Sequence, residues 1–210
     1  YQKKFTENFC KIKPKNSYLS KISLIEKKDK KKTKIRIGYF SGDFKNHAVF
    51  HLIQDLFVNH NKFKFEIFAY STFYEEDSSR RKIIDNVDKF YDIDKLSDEE
   101  IIKLVKSHSL DFAIDLSGHT VHNISHLFEF NISTIKVNYL GYPGTMGTEN
   151  YDYIIADKHI IPKSHFKHYS EKILHMPETY QPFTPLKFTL GKSRSEFKLP
   201  ENGFILGCFS

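Results

Sequence analysis

Three short polar segments of the chain carry most of the residues that could do chemistry. They are residues 41–47 (SGDFKNH), 117–123 (SGHTVHN) and 141–148 (GYPGTMGT). Two of them contain histidine, whose imidazole can accept or donate a proton near neutral pH. All three contain a glycine, which lets a backbone approach a ligand closely. Ordinary turns use many of the same residue types, but three such segments together favour a ligand site.

His47 is the main catalytic candidate. A helix is predicted to begin directly after it, and the free amides at a helix N-terminus favour an anion such as a diphosphate. A neutral imidazole there could accept a proton from a substrate or donate to a substrate oxygen. A histidine that lies at a helix start without any chemical role is an equally good interpretation of the sequence alone.

The spacing of the other polar residues disfavours common cofactor sites. His47 and His51 lie four residues apart, but Ala48 stands where the helix of a zinc protease has glutamate. The histidines of residues 117–126 have no carboxylate in register, so no metal site is expected. The chain also lacks the glycine spacings of dinucleotide-binding and P-loop proteins. We therefore expect neither a metal nor another cofactor.

The hydrophobic pattern shows which elements must position these segments. Short apolar runs predict strands over residues 35–40, 63–70, 90–93, 111–116, 135–140, 153–156 and 172–176. Helices are predicted over residues 49–57, 78–87, 97–108 and 124–130. This alternation is typical of an α/β, Rossmann-like, open and mostly parallel sheet with helices on both faces. Ligands of such sheets bind beyond the carboxyl ends of the strands, where the three polar segments lie.

Asp111 and Asp115 lie at the two ends of the fourth predicted strand. A charge buried in a strand needs hydrogen-bonding partners. We expect Asp115, which is nearer the strand's end, to be the more exposed of the two. Its expected role is to support the fold as a hydrogen-bond acceptor rather than to act as a catalytic carboxylate.

The net charge of +6 is distributed unevenly along the 210 residues of the chain. Residues 1–36 hold 13 Lys and Arg against 3 Asp and Glu, a balance of +10, and residues 37–210 hold 19 against 23, a balance of −4. Binding to a phosphate backbone needs a basic face on the fold itself. We therefore expect residues 37–210 not to bind nucleic acid specifically. A protein that binds nucleic acid through its basic N-terminal arm is an alternative.

Composition divides the chain into four parts. Residues 1–34 are interpreted as a basic linker or docking arm, 35–180 as the lobe, and 181–200, with Pro and Gly, as a linker. Residues 201–210 look like the start of a truncated second lobe, with a strand predicted over 204–209. Because the chain begins without Met and stops inside an apolar run, we interpret it as a fragment. No apolar run is long enough to span a membrane, and two unpatterned cysteines favour a reducing, cytoplasmic setting.

Several ordered motifs resemble the catalytic region of O-GlcNAc transferases and SPINDLY-like proteins. The resemblance covers residues 35–210, and its strongest pair is SGHT with LGYPGT. The motifs, in the order expected for that family, are residues 36–47, 115–123, 139–147, 151–157, 169–177 and 199–210. The resemblance implies the N-terminal lobe of a GT-B glycosyltransferase, in which two Rossmann-like lobes enclose the active site.

The resemblance also implies an activity. It is the inverting, metal-independent transfer of a sugar from a nucleotide donor such as UDP-GlcNAc to Ser or Thr of a protein. GlcNAc is the first choice, and protein O-fucosyl transfer is the alternative because SGHT is closer to the SPINDLY-like pattern. Upstream tetratricopeptide repeats and a C-terminal lobe with an essential lysine would complete the enzyme, so the fragment alone is expected to be inactive. A non-catalytic binding or scaffold lobe is the alternative of another class.

The resemblance places particular residues on the acceptor side of the cleft between the lobes. His47 maps onto the family's histidine at the sugar and acceptor end of the site, where it would act as a base or position the acceptor or sugar. The residues expected to bind substrate are Asn46, Gly118, His119, Thr120, Tyr142, Pro143, Gly144 and Thr145.

Overall fold

The computed structural model describes residues 34–182 and 193–208. Within them lie seven strands: β1 (Ile35–Ser41), β2 (Phe65–Ser71), β3 (Lys89–Asp92), β4 (Leu110–Asp115), β5 (Ser133–Tyr139), β6 (Tyr153–Ala156) and β7 (Lys172–His175). The α-helices are α1 (Ala48–Asn59), α2 (Ser78–Ile84) and α3 (Asp98–Ser107), and 3₁₀ turns cover Ser125–Glu129, Lys163–His168 and Ser195–Phe197. None of the helices in this part of the chain is long and apolar enough to cross a membrane. The predicted arm, residues 1–34, lies almost wholly outside the described residues.

The seven strands form one sheet in the order β3-β2-β1-β4-β5-β6-β7. All six neighbouring pairs are parallel. In the two central pairings, Phe40 of β1 lies opposite Tyr70 of β2 and Asp115 of β4. The predicted mostly parallel sheet is therefore confirmed, and its strand order is that of the dinucleotide-binding Rossmann fold.

Helices cover both faces of the sheet, as predicted. Successive residues of β1 point to opposite faces, so Ile37 and Phe40 belong to different cores. The core with Ile37 packs against α1, whose buried side chains recur at helical spacing, namely Val49, Phe50, Ile53 and Phe57. The core with Phe40 contains Ile101 and Val105 of α3. Helix α3 begins at a capping box, in which Ser97 and Glu100 satisfy each other's backbone amides.

Some predicted elements differ from the structure. Helix α2 ends at Ile84 rather than residue 87, because Asp85 and Asn86 continue as a turn. The helix predicted over residues 124–130 is a short 3₁₀ turn. The strand predicted over residues 204–209 is wrong for residues 204–208, which form no strand. Phe204 and Leu206 there are 90% and 88% exposed, and a strand needs a hydrogen-bonded neighbour. The division of the chain into two lobes stays a prediction.

Two histidines are expected to make the lobe less stable in acid. His60 Nε2 lies 2.9 Å from the Tyr39 hydroxyl, and His108 Nδ1 lies 2.7 Å from the Tyr70 hydroxyl. Desolvation by burial lowers the pKa of both imidazoles. Since protonation is then easier in the unfolded chain, this contribution to stability is fully present above about pH 6.5 and is lost as the pH falls through the lowered values.

Replacing both histidines with glutamine tests this expectation. The amide oxygen can still accept from the tyrosine hydroxyl but does not titrate. Between pH 7.5 and 5.5, the fall in Tm measured by circular dichroism should be smaller in His60→Gln/His108→Gln than in the wild type. The exposed pair His159 and His165, changed to glutamine in the same way, is the control. An unchanged pH dependence in the first variant would show that the half-buried His60 and His108 are not the cause.

Candidate active site

The three polar segments leave the sheet at adjacent strands. Residues 41–47 follow β1, residues 117–123 follow β4, and residues 141–148 follow β5, and these strands are consecutive in the sheet. The chain leaves β1 for α1 on one face and leaves β4 for the 3₁₀ turn with Leu127 and Phe128 on the other face. Strands that send their connections to opposite faces leave a crevice at their carboxyl ends. The segments are therefore brought together at one edge, as predicted.

Direct contacts join the three segments. The Gly42 amide donates to Ser117 Oγ over 3.4 Å, and a Cβ on Gly42 would lie only 2.8 Å from His122 Cβ. Between the second and third segments, a Cβ on Gly118 would lie 2.5 Å from Tyr142 Cβ. Glycine is required at these positions because the neighbouring chain occupies the space of a side chain. The three segments thus form one continuous surface.

His47 lies at the start of α1, where the sequence placed it. Its extended backbone ends the β1 loop, and its Nδ1 accepts the Val49 amide over 3.2 Å, which caps the helix. The side chain is 44% exposed. One ring nitrogen is therefore used by the helix, and the other is available to a substrate.

The cap determines which nitrogen of His47 carries the proton. A nitrogen that accepts the Val49 amide cannot itself be protonated, so in the neutral ring the proton is on Nε2. In this state Nε2 donates a hydrogen bond and cannot accept a proton. The alternative tautomer needs an acceptor for Nδ1–H, and Asp43 Oδ1 lies 3.6 Å from Nδ1. Asp43 is therefore the residue that could convert His47 from a donor into a base.

The loop that carries His47 is held from the β2–α2 side. Asp77 caps α2 through the Arg80 amide and also accepts the Asn46 amide. Burial acts to raise the pKa of the Asp77 carboxyl, but the backbone hydrogen bonds outweigh it and the pKa is lowered. Lys45 Nζ forms an ion pair with Glu75 over 2.7 Å. Asn46, a predicted substrate-binding residue, is exposed, and its side-chain oxygen lies 2.9 Å from His51 Nε2.

Asp115 supports the second segment from beneath. Its Oδ1 accepts the amides of Ser117 and Gly118 over 2.9 and 3.0 Å, and its Oδ2 accepts the Tyr151 hydroxyl over 2.6 Å. Burial raises the pKa of this carboxyl, and these hydrogen bonds offset the rise only in part. The predicted supporting role is confirmed. The prediction that Asp115 is the more exposed aspartate is wrong, because it is 1% and Asp111 2% exposed.

Removing the Asp115 carboxyl should lower the free energy of unfolding, because the groups that donate hydrogen bonds to it would be left unpaired. In Asp115→Ala, two amides and the Tyr151 hydroxyl lose their acceptor, and each buried unpaired group costs about 1–3 kcal/mol. We expect a total loss of roughly 3–5 kcal/mol in the free energy of unfolding, measured with urea. Asp115→Asn keeps an oxygen for the two amides and should lose less than half as much. Equal losses in the two variants would contradict this account.

The second segment is a tight turn that exposes part of its surface. Gly118 has a φ of +56°, which favours glycine. The Thr120 hydroxyl donates to the Ser117 carbonyl over 2.8 Å, and the side-chain amide of Asn123 donates to the Thr120 carbonyl over 2.6 Å. His119 Nε2 donates to the Met146 carbonyl over 3.2 Å. Gly118 is buried, whereas His119 and Thr120 are half-buried and can still reach a ligand.

Tyr142 is the centre of the third segment. Its ring lies against Gly118 and Gly144, and at either position a Cβ would lie within 2.8 Å of the tyrosine side chain. Burial raises the pKa of the Tyr142 hydroxyl, and the negative charge of Glu171 adds to the rise. Pro143 is exposed beside it. Tyr142, Pro143 and Gly144 therefore form the part of this segment that a substrate can approach.

Thr145 is turned toward the interior. Its hydroxyl donates to Glu171 Oε2 over 2.8 Å and accepts the Gly147 amide over 3.0 Å. Glu171 also accepts the Met146 amide over 2.5 Å. Burial raises the pKa of the Glu171 carboxyl, and its hydrogen bonds offset this in part. The Thr145 hydroxyl is thus engaged in holding the segment in place.

Comparison with known proteins supplies the family. The profile for "Glycosyl transferase family 41" matches residues 8–183, which is most of the chain. This chain belongs to glycosyl transferase family 41. It is 31% identical over 185 residues to a probable UDP-N-acetylglucosamine–peptide N-acetylglucosaminyltransferase, SEC, of Arabidopsis thaliana, with 84% of this chain and 19% of the relative covered.

Two further relatives are similar to this family 41 chain over more than two thirds of its length. A UDP-N-acetylglucosamine–peptide N-acetylglucosaminyltransferase of Caenorhabditis elegans is 29% identical, covering 70% of this chain and 13% of the relative. The probable SPINDLY enzyme of Arabidopsis thaliana is 28% identical, covering 72% and 17%. This chain therefore spans about a fifth or less of the curated relatives it matches.

A solved structure confirms the fold class of the family 41 chain. A mutant O-GlcNAc transferase of Thermobaculum terrenum superposes with a TM-score of 0.71 and 26% identity, covering 73% of this chain and 30% of that chain. The expected α/β Rossmann-like fold of a GT-B lobe is thereby confirmed. So is the resemblance to O-GlcNAc transferases and SPINDLY-like proteins.

Sequence reasoning missed several residues that shape this family 41 site. Asp77, Tyr151 and Glu171 act on the three segments from 25 to 36 residues away in the chain. A helix cap could have been expected at Asp77, which directly precedes α2. Tyr151 and Glu171 carry no local signal. Within the described residues, no three His, Cys, Asp or Glu side chains lie together as a metal ion would need.

Proposed function

We propose that this chain is the N-terminal lobe of a protein O-glycosyltransferase. The full enzyme would transfer a sugar, in the first instance GlcNAc, from a nucleotide donor such as UDP-GlcNAc to a Ser or Thr hydroxyl. The observation that carries the proposal is the meeting of three polar segments at the switch point, with His47 exposed there, in a family 41 chain. The relatives named above are described as peptide N-acetylglucosaminyltransferases.

The proposed reaction inverts the anomeric carbon and needs no metal. The acceptor oxygen forms a bond to that carbon while the bond to the nucleotide diphosphate breaks, and the diphosphate leaves with the electron pair. The acceptor hydroxyl passes its proton to an oxygen of the departing diphosphate, so the proposed step needs no protein base. The exposed parts of the second and third segments, including His119, Thr120 and Tyr142, would bind the sugar or the acceptor.

We assign His47 a positioning role in this reaction. Support for this comes from its helix cap, which occupies Nδ1 and leaves the N–H on Nε2 to donate to a substrate oxygen. Orientation of reacting groups supplies a large part of enzymatic rate acceleration. A base role would require the Asp43-paired tautomer, with Nδ1 released from the Val49 amide.

The full enzyme is proposed to contain more than this chain. The partners would be upstream tetratricopeptide repeats, a C-terminal lobe that holds most of the nucleotide, and a protein acceptor in the cytoplasm. The small share of each relative that this chain covers supports such an arrangement. One lobe cannot close a two-lobe cleft, so residues 1–210 alone are expected to be inactive.

A donor screen tests the proposed function. The full-length protein would be incubated with UDP-GlcNAc, GDP-fucose and other nucleotide sugars, a peptide pool and a metal chelator, and nucleotide release would be measured. We expect peptide-dependent release from UDP-GlcNAc. Release from GDP-fucose instead would favour the O-fucosyltransferase alternative, which the SGHT segment at residues 117–120 supports. No release from any donor would favour a non-catalytic scaffold.

A further inference from the structure

A strongly basic surface lies between the sixth and seventh strands. We call the exposed residues between positions 158 and 176 the basic surface. All four of its lysines are exposed, namely Lys158, Lys163, Lys167 and Lys172. Three exposed histidines, His159, His165 and His168, lie among them. Most of these residues are on or beside the 3₁₀ turn Lys163–His168.

Residues 158–176 contain no exposed carboxylate that could offset this positive charge. Glu171 is the sole acidic residue between positions 158 and 176, and it is buried with Thr145 and Met146. Asp157, just before the surface, is buried too and caps backbone amides. Among the residues that the structure describes, no ion pair includes Lys158, Lys163 or Lys167. The surface is thus open to an anionic partner.

The chemistry of the basic surface fits a polypeptide better than a nucleic acid. Four large apolar side chains share it, each between 38% and 44% exposed, namely Ile160, Phe166, Leu174 and Met176. A mixture of charged and apolar side chains is typical of protein interfaces. Residues 158–176 contain no arginine, the residue best suited to bidentate recognition of phosphate.

The basic surface is continuous with the candidate active site. The Tyr169 hydroxyl donates to the Pro143 carbonyl over 3.2 Å. Ser170 Oγ lies 3.2 Å from Thr145 Oγ1. The surface therefore adjoins the segment at 141–148, which includes the predicted substrate-binding residues Tyr142 and Pro143. A chain that leaves the site in this direction would pass over the lysines.

We propose that the basic surface binds an acidic segment of the acceptor protein, close to the Ser or Thr that receives the sugar. The proposal rests on the proposed function and adds the class of acceptor to it. Opposite charges at an interface steer association and select partners. Because the lysines are exposed, the preference for acidic acceptors should weaken as salt concentration rises.

The test compares the binding of an acidic peptide with that of an uncharged peptide of otherwise identical sequence, called the uncharged twin. A labelled peptide with a single Ser flanked by Asp and Glu, and the same peptide with Asn and Gln, are titrated with the intact protein and followed by fluorescence anisotropy. The variant Lys158→Glu/Lys163→Glu/Lys167→Glu should weaken binding of the acidic peptide about tenfold and leave the uncharged twin unaffected. The variant Lys30→Glu/Lys31→Glu/Lys32→Glu makes the same charge change in the N-terminal arm and is the matched control.

The outcomes separate this proposal from the proposed function. Equal weakening by both triple variants, or equal binding of the two peptides by the wild type, would overturn the basic surface as an acceptor site. A single-stranded RNA that displaces the acidic peptide at equal concentration would overturn it in favour of nucleic acid. Loss of sugar transfer to every peptide would contradict the proposed function, whereas the anisotropy result would still decide whether acidic segments bind here.

Discussion

Replacing His47 with asparagine should lower kcat/KM for sugar transfer by the full-length protein about 10²–10³-fold. Asparagine is a good N-cap residue, so it can take over the bond to the Val49 amide that His47 Nδ1 now accepts. It cannot supply the Nε2–H that we assign to a substrate oxygen. Tm should therefore stay within about 2 °C of the wild type, while transfer is measured by product formation.

Two further variants divide the roles of this residue. His47→Ala removes both the cap and the imidazole, so it should lose transfer and also about 1 kcal/mol of stability. Asp43→Asn removes the carboxylate that the base tautomer needs, and we expect it to keep most of its activity. If Asp43→Asn were as inactive as His47→Asn, His47 would act as a base. Wild-type transfer by His47→Asn would remove it from the mechanism.

Replacing Gly141 with alanine should strongly destabilise the lobe. A Cβ at this position would lie 2.1 Å from the backbone oxygen of Leu116, and a backbone carbonyl at the end of a buried strand cannot rotate away. The second and third segments would have to separate at that point. We expect a loss of at least about 3 kcal/mol in the free energy of unfolding, which corresponds to a fall in Tm of roughly 6–12 °C.

Gly38 provides the matched control for this substitution. A Cβ on Gly38 would lie 2.5 Å from Leu110 Cδ1, but that atom is the end of a flexible side chain that can change rotamer. Gly38→Ala should therefore cost only about 1–2 kcal/mol. If Gly141→Ala were no less stable than Gly38→Ala in a urea titration, the close approach of the β4 and β5 ends would not be a fixed feature of the site.

The fold could be predicted because the hydrophobic patterns that specify its strands and helices lie within short stretches of the sequence. The strands bury apolar runs such as Ile35–Ser41, and α1 buries one face at helical spacing. Element ends were less predictable, as at α2, where Asp85 and Asn86 form a turn. The strand predicted over residues 204–209 shows the limit, because its apolar run does not form a strand without a neighbour in the described part of the chain.

The candidate site was predictable in place but not in detail. Glycine and histidine at the predicted strand ends, with the rule for parallel sheets, located the three segments. Which atoms face outward depends on contacts between distant parts of the chain. Asp115 is covered by Tyr151, and Thr145 is turned inward by Glu171. Neither pair has a periodicity or spacing from which its contact could be inferred.

The mass of an acceptor peptide tests the central claim most directly. Two peptides would be incubated separately with the full-length protein and UDP-GlcNAc, and their masses would be measured by mass spectrometry. One contains a single serine, the other has alanine in its place, and neither contains another hydroxyl. We expect the serine peptide alone to gain the mass of one sugar, and His47→Asn to slow that gain about 10²–10³-fold. Unchanged peptide masses with every donor tested, from a protein shown to be folded, would contradict the account.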